Sequence, residues 1–175
     1  MPSSLTFEEF SSESKSEELP RHLYEQAGGG WALCGQGIFS WSVFKFYNIR
    51  LLTPSGRFDP TQPYVLDLSY LRKLSAQQIV AITLQEIERL ASPEAEQAAN
   101  WRQTLESIVP DVSLGDRLFG WFKPDEGVYF FSAHRALGSI LDPGFARAFS
   151  AIWLDPRTQR PALREALLGA EGAPA

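Results

Sequence analysis

The sequence predicts an α+β domain: an antiparallel β-sheet with helices packed on one face. Three observations carry this. Apolar residues alternate with a period of two in Cys34 to Leu52, Tyr64 to Leu71 and the segments between Asp116 and Ile140. The spacing becomes helical from Ser75 to Ile108 and again after Asp142, and turn-forming residues separate these blocks. Runs of strands followed by runs of helices give a sheet with helices segregated to one side, not a parallel α/β sheet. A chain of 175 residues, 44% hydrophobic and 13% aromatic, builds one such core without a metal or disulfide staple.

Residues 1–18 hold five glutamates against Lys15, so they carry −4 of the net charge of −5, and the remainder carries −1. Rich in Ser and Glu and poor in aliphatic residues, they are expected to be a disordered acidic tail. The domain is expected over 19–170, with a flexible C-terminus at 171–175. Leu19 to Tyr24 forms a helical or extended lead-in, and Gly28, Gly29 and Gly30 make a joint before Trp31.

Cys34 to Leu52 reads as one long strand whose buried row is Phe39, Trp41, Val43, Lys45, Tyr47, Ile49 and Leu51. Phe44 and Phe46 lie on the opposite parity, so a bulge or sharp bend is expected near Ser42 to Lys45. Thr53 to Pro63, with three prolines and a glycine, is a loop, and Tyr64 to Leu71 is the next strand. Ser75 and Gln78 make a capping box for a helix with Ile79, Ile82, Ile87 and Leu90 inward and Gln85, Glu86 and Arg89 outward. Ser92-Pro93 restarts a helix with Ala98, Trp101, Leu105 and Ile108 on its apolar side. Asp116 to Lys123 and Val128 to Ser132 form a hairpin, and a shorter turn at Ala133 to Arg135 leads to Leu137 to Ile140. Asp142-Pro143 caps a helix over Gly144 to Trp153, and a final helix runs from Pro161 to Leu168 with Gly169 at its end.

Several function classes are excluded. No basic stripe supplies a nucleic-acid footprint, and no run of about 18 apolar residues spans a membrane. One cysteine, Cys34, excludes an intrachain disulfide and multi-cysteine zinc patterns, and its strand position reads as a buried, inert thiol. His22 and His134 have no ligand neighbours and read as solvated; no metal is expected. Gly35-Gln36-Gly37 leads into strand, not helix, so it makes no phosphate loop, and no cofactor is expected. Asp125 and Glu126 fall in an exposed turn and are expected to titrate normally. An acidic, serine-rich N-terminus is unlike an export signal, which places the chain in the cytoplasm, or in the periplasm if such a signal was removed.

The remaining chemistry is cations among aromatics. Lys45 interrupts an apolar row: it either anchors a ligand carboxylate with Tyr47, Arg50, Tyr70 or Arg72, or reaches water along its own stem. A cavity is expected between sheet and helices, where apolar ligands commonly sit.

The segments GQGIFSWSVFKFYNIRLL, VLDLSYLRKLSAQQIV, DVSLGDRLFGWF and DPGFARAFSAIWLDPRTQRPALREALLG resemble the bacterial chalcone isomerase-like proteins, from about Leu33 to Gly169. The resemblance implies the chalcone isomerase fold, an open-faced β-sandwich. In that family an arginine shortly after a Gly-x-Gly turn and a threonine on the following strand serve ring closure, and a fatty-acid-binding branch uses the same arginine for a carboxylate. Here Phe39 falls where the arginine would be, the strand hydroxyl falls on Tyr47, and the late threonine is replaced around Ile152. A phenyl ring cannot make a forked, charge-assisted pair, so chalcone closure is not expected. The reading is therefore a chalcone isomerase-like domain that binds a small apolar ligand, fatty acid or aromatic, through Phe39, Trp41, Tyr47, Tyr70, Arg72, Ile152 and Trp153. Its alternatives are an isomerase or lyase on another substrate, with Tyr47 and Lys45 as acid-base pair, and a structural or interaction protein whose cleft its own side chains fill.

Overall fold

A computed structural model describes residues 19–169, so the acidic tail expected at 1–18 and the flexible C-terminus expected at 171–175 lie outside the described residues. Six strands form one antiparallel meander in sequence order: β1 (Ala32–Trp41), β2 (Phe44–Thr53), β3 (Tyr64–Tyr70), β4 (Arg117–Lys123), β5 (Gly127–Ser132) and β6 (Ala136–Ile140). Five helices accompany it among the described residues: α1 (Arg21–Ala27), α2 (Ala76–Ala91), α3 (Ala95–Ile108), α4 (Pro143–Leu154) and α5 (Pro161–Leu168).

The stretch expected to be one long strand is instead the hairpin β1–β2. Its two loop residues are Ser42, with φ of 57°, and Val43, which is 85% exposed. A positive φ at the first loop position gives the backbone twist that tight hairpins need, here without the usual glycine. Across the pair Phe39 faces Tyr47 and Ser40 faces Lys45, which leaves Phe46 as the extra residue of a bulge. The bulge lets the consecutive residues Phe46 and Tyr47 both be buried in the main core.

The main core joins the sheet to α2, α3, α4 and α5. The helix ends follow local capping chemistry. Ser75 accepts from the Gln78 amide at 3.1 Å while Gln78 Oε1 accepts from the Ser75 amide at 2.9 Å. Asp142 Oδ1 accepts from the Gly144 amide at 2.8 Å, and its Oδ2 accepts from Trp101 Nε1 at 3.0 Å, which ties the start of α4 to α3. Ser92 departs from expectation: it ends α2 in a left-handed conformation (φ 42°), and α3 begins later, at Ala95. Helix α5 lies so close to β1 that a Cβ on Gly35 would stand 2.1 Å from the Ala166 carbonyl oxygen. Glycine is needed there for space.

A second, smaller core appears where none was expected, on the other sheet face, with Leu19 and Leu23 packed on Leu52, Val65, Phe119 and Phe131. So α1 covers part of the face opposite the other four helices. His22 belongs to this contact, with Nε2 2.9 Å from the Ser132 carbonyl oxygen and its ring stacked on Phe131; it is half-buried, not solvated. Also on that face, buried Asp67 accepts from Arg50 at 2.6 Å and from Arg117 at 2.7 Å. Among the described residues no helix is long and apolar enough to cross a membrane.

Candidate functional site

The bulge in β2 turns Tyr47 toward the helical layer. There its ring stacks on Phe39 with centroids 4.7 Å apart and meets the edge of Tyr70 at 5.3 Å. Helix α4 supplies the opposite wall: Trp153 Nε1 donates to the Tyr47 hydroxyl at 3.0 Å, joining helix to sheet through a buried hydrogen bond. Burial holds the Tyr47 phenol well above its ordinary range; the neighbouring Tyr70 adds to this and the Trp153 hydrogen bond opposes it. Burial likewise raises Tyr70. Both phenols therefore stay protonated near neutrality and act as hydrogen-bonding groups, not bases.

Between these walls lies a cavity of about 70 Å³. Phe39, Tyr47, Tyr70, Ile152 and Trp153 line it, together with Ile79, Ile82, Thr83 and Glu86 of α2, Leu105 of α3 and Phe149 of α4. Other sequence candidates lie elsewhere. Lys45 is exposed, as its bland reading has it, so the structure does not bring it to Tyr47 as an acid-base partner. Arg72 stacks its guanidinium over Phe44 at 4.4 Å, and Arg50 holds Asp67 on the other sheet face. Trp41 is half-buried beside Arg160 and does not line the cavity.

Glu86 was expected to point outward. It is 2% exposed and, among the described residues, is the one charged side chain in the cavity wall. Its position is readable after the fact: Ile79, Ile82, Glu86 and Leu90 form one stripe at spacings of three and four. Arg160 was missed as well. Thr158 Oγ1 donates to the Ile152 carbonyl at 2.7 Å and Arg164 Nε to the Leu154 carbonyl at 2.9 Å, so the loop after α4 is pinned to the helix end. This pinning carries Arg160 over the Phe39 ring at 4.0 Å, where its Nε donates to the Ser40 carbonyl at 3.0 Å. A guanidinium thus stands beside Phe39 after all, supplied from a different segment. Arg160 Nη1 and Arg89 Nη2 each lie 3.6 Å from Glu86 Oε2.

Two smaller expectations are revised by geometry. Glu126 is held below its usual carboxylate range by hydrogen bonds from Lys123 and Tyr129. Cys34 is half-buried, and desolvation raises its thiol. Among the described residues no group of three His, Cys, Asp or Glu side chains is placed to hold a metal.

Comparison with known proteins settles the family. A family profile described as chalcone isomerase-like matches residues 21–169. The chain belongs to the chalcone isomerase-like family. An uncharacterised protein of Haemophilus influenzae is 28% identical over 140 residues, covering 79% of this chain and 68% of that protein. The crystal structure of a fatty-acid binding protein of Arabidopsis thaliana superposes with a TM-score of 0.63 at 11% identity, over 81% of this chain and 88% of the other. At that identity the likeness is one of fold. The chalcone isomerase-like chain thus has the expected open-faced arrangement, with α1 packed on part of the open face.

Proposed function

We propose that this protein binds a small apolar molecule between its sheet and its helical layer and does not turn it over. The observation that carries the reading is the cavity: walled by aromatic and aliphatic side chains, with hydrogen-bonding groups gathered near Tyr47 and Glu86. This is the composition of a ligand site, apolar walls with a few placed polar groups. The fold shared with a fatty-acid binding protein supports it. Chalcone ring closure is not proposed: Phe39 stands where the family resemblance puts the catalytic arginine, the Arg160 guanidinium over its ring is held by the Ser40 carbonyl and does not line the cavity, and Tyr47 is a hydrogen-bonded phenol.

Volume sets a condition. At about 70 Å³ the cavity is well below the ~300 Å³ of ordinary ligand sites and about half the ~150 Å³ that holds benzene. Binding therefore requires the wall to move. Ile79, Ile82 and Phe149 line the cavity and are only half-buried, so they are the side chains that can swing out at least cost. Native mass spectrometry of protein purified from its own host, followed by organic extraction, tests the reading. A retained small apolar compound supports it; a clean apo mass, with no uptake of added alkyl probes, would show a cleft filled by its own side chains.

A further inference from the structure

This inference rests on the binding reading above and concerns what head group the cavity accepts. A carboxylate in the wall of an apolar cavity is costly to bury, and an apolar side chain of similar volume would serve stability as well or better. Yet Glu86 is held there between two guanidiniums without being satisfied by either. Its Oε2 is 3.6 Å from Arg160 Nη1 and 3.6 Å from Arg89 Nη2, both beyond hydrogen-bond reach. Glu86 Oε2 and Arg160 Nη1 are both buried, and neither has a hydrogen-bond partner among the described residues. Arg160 cannot easily close the gap, because the Ser40 carbonyl fixes its Nε and Phe39 lies under its plane. Natural proteins rarely leave a buried donor and a buried acceptor side by side and unpaired.

The pair defines the group that fits. Arg160 stands outside the cavity wall and both atoms are closed to solvent, so a head group reaches the pair only when the wall opens beside Glu86; it must then donate to Glu86 Oε2 and accept from Arg160 Nη1, and an oxygen about 2.8 Å from each would span the 3.6 Å gap. A hydroxyl does both. An ionised carboxylate accepts from Arg160 but leaves Glu86 Oε2 facing a like charge, and an ammonium group satisfies Glu86 but meets the Arg160 guanidinium. We infer that the cavity selects apolar molecules with a neutral hydroxyl head, an alcohol or a phenol, over ionised acids, with Glu86 as the specificity residue. The Tyr47 hydroxyl lies near enough for both Glu86 and Arg160 to influence its ionisation, so the head group sits at the Tyr47 end.

Titration calorimetry at pH 8 with decan-1-ol, its methyl ether and decanoate tests this on the full chain. Decan-1-ol should bind at least about tenfold more tightly than either, the scale of one hydrogen bond to a charged group. In Glu86→Gln the alcohol-to-acid preference should fall by a similar factor, since the amide removes the like charge. Decanoate binding as well as or better than decan-1-ol to the unaltered protein would overturn the selectivity and leave the binding reading standing. Equal binding of the ether and the alcohol would show that Glu86 accepts no hydrogen bond from the ligand, and would also overturn it. Failure of all three probes to bind would remove the binding reading itself, and the inference with it.

Discussion

Tyr47→Phe is the most informative single change to the structure. It removes one oxygen and leaves the packing of the ring on Phe39 intact, so its effect isolates the hydrogen bond that Trp153 Nε1 donates. Both residues are buried, and after the change the indole N–H has no acceptor. An orphaned buried donor costs about 1–3 kcal/mol, whereas a pair exposed to water would cost close to nothing. For a chain of this length each kcal/mol moves the melting temperature by about 2–4 °C, so a fall of roughly 2–12 °C is expected. Differential scanning calorimetry gives the shift. A double-mutant cycle with Trp153→Phe assigns it to the pair, with a coupling of about 1 kcal/mol expected for groups in direct contact. A melting temperature unchanged within a degree would mean that the indole finds another acceptor, and that the polar end of the cavity is built differently from the geometry described.

Two further outcomes follow from the same geometry. Alkaline pH should unfold the protein: burial raises Tyr47 and Tyr70 and pushes Tyr64 up to about 12, so the folded state holds these protons above the pKa of about 10 that an unfolded tyrosine has. Stability from these phenols is complete below pH 10 and is lost as pH rises from there through 12, by about 3 kcal/mol for Tyr64 alone. Phenolate absorbance for these tyrosines should appear together with loss of near-ultraviolet circular dichroism; a smooth titration of all five tyrosines in a folded protein would contradict the burial. Gly35→Ala should cost at least about 1–3 kcal/mol in urea denaturation, since the added methyl meets backbone oxygens of α5 and not a flexible side chain. A neutral result would mean that α5 does not sit on β1 as described.

Much of the fold was legible because its signals are local. Asp142-Pro143 and the Ser75–Gln78 pair act within three residues, and the helices they start begin within a residue or so of expectation. The β1–β2 hairpin was not legible: Trp41-Ser42-Val43-Phe44 contains no Gly, Asn or Pro, and an exposed valine continues the apolar row. The buried row largely survived the error. The two-residue turn alone pairs odd with even residues, as Trp41 with Phe44, but the bulge at Phe46 restores the parity, so Phe39, Tyr47, Ile49 and Leu51 share the main core as they would in a straight strand. Helix α1 was invisible as a core element because its seven residues hold one fully buried side chain, Leu23. At the site, the aromatic wall could be read from strand periodicity. Glu86 was hidden by its charge, which outweighed its helical spacing, and Arg160 is placed by hydrogen bonds between the loop and α4 that no sequence period announces.

Opening of the cavity between sheet and helices to admit an apolar guest is tested most directly by nuclear magnetic resonance. Decan-1-ol and decanoate are added separately to protein labelled at isoleucine and leucine methyls and at the tryptophan indoles. Saturable shifts are expected at Trp153, Ile79, Ile82, Leu105 and Ile152, the residues that surround the cavity. Shifts confined to Ile38 and Trp121 on the opposite face, or no saturable shift with either probe, would contradict the account.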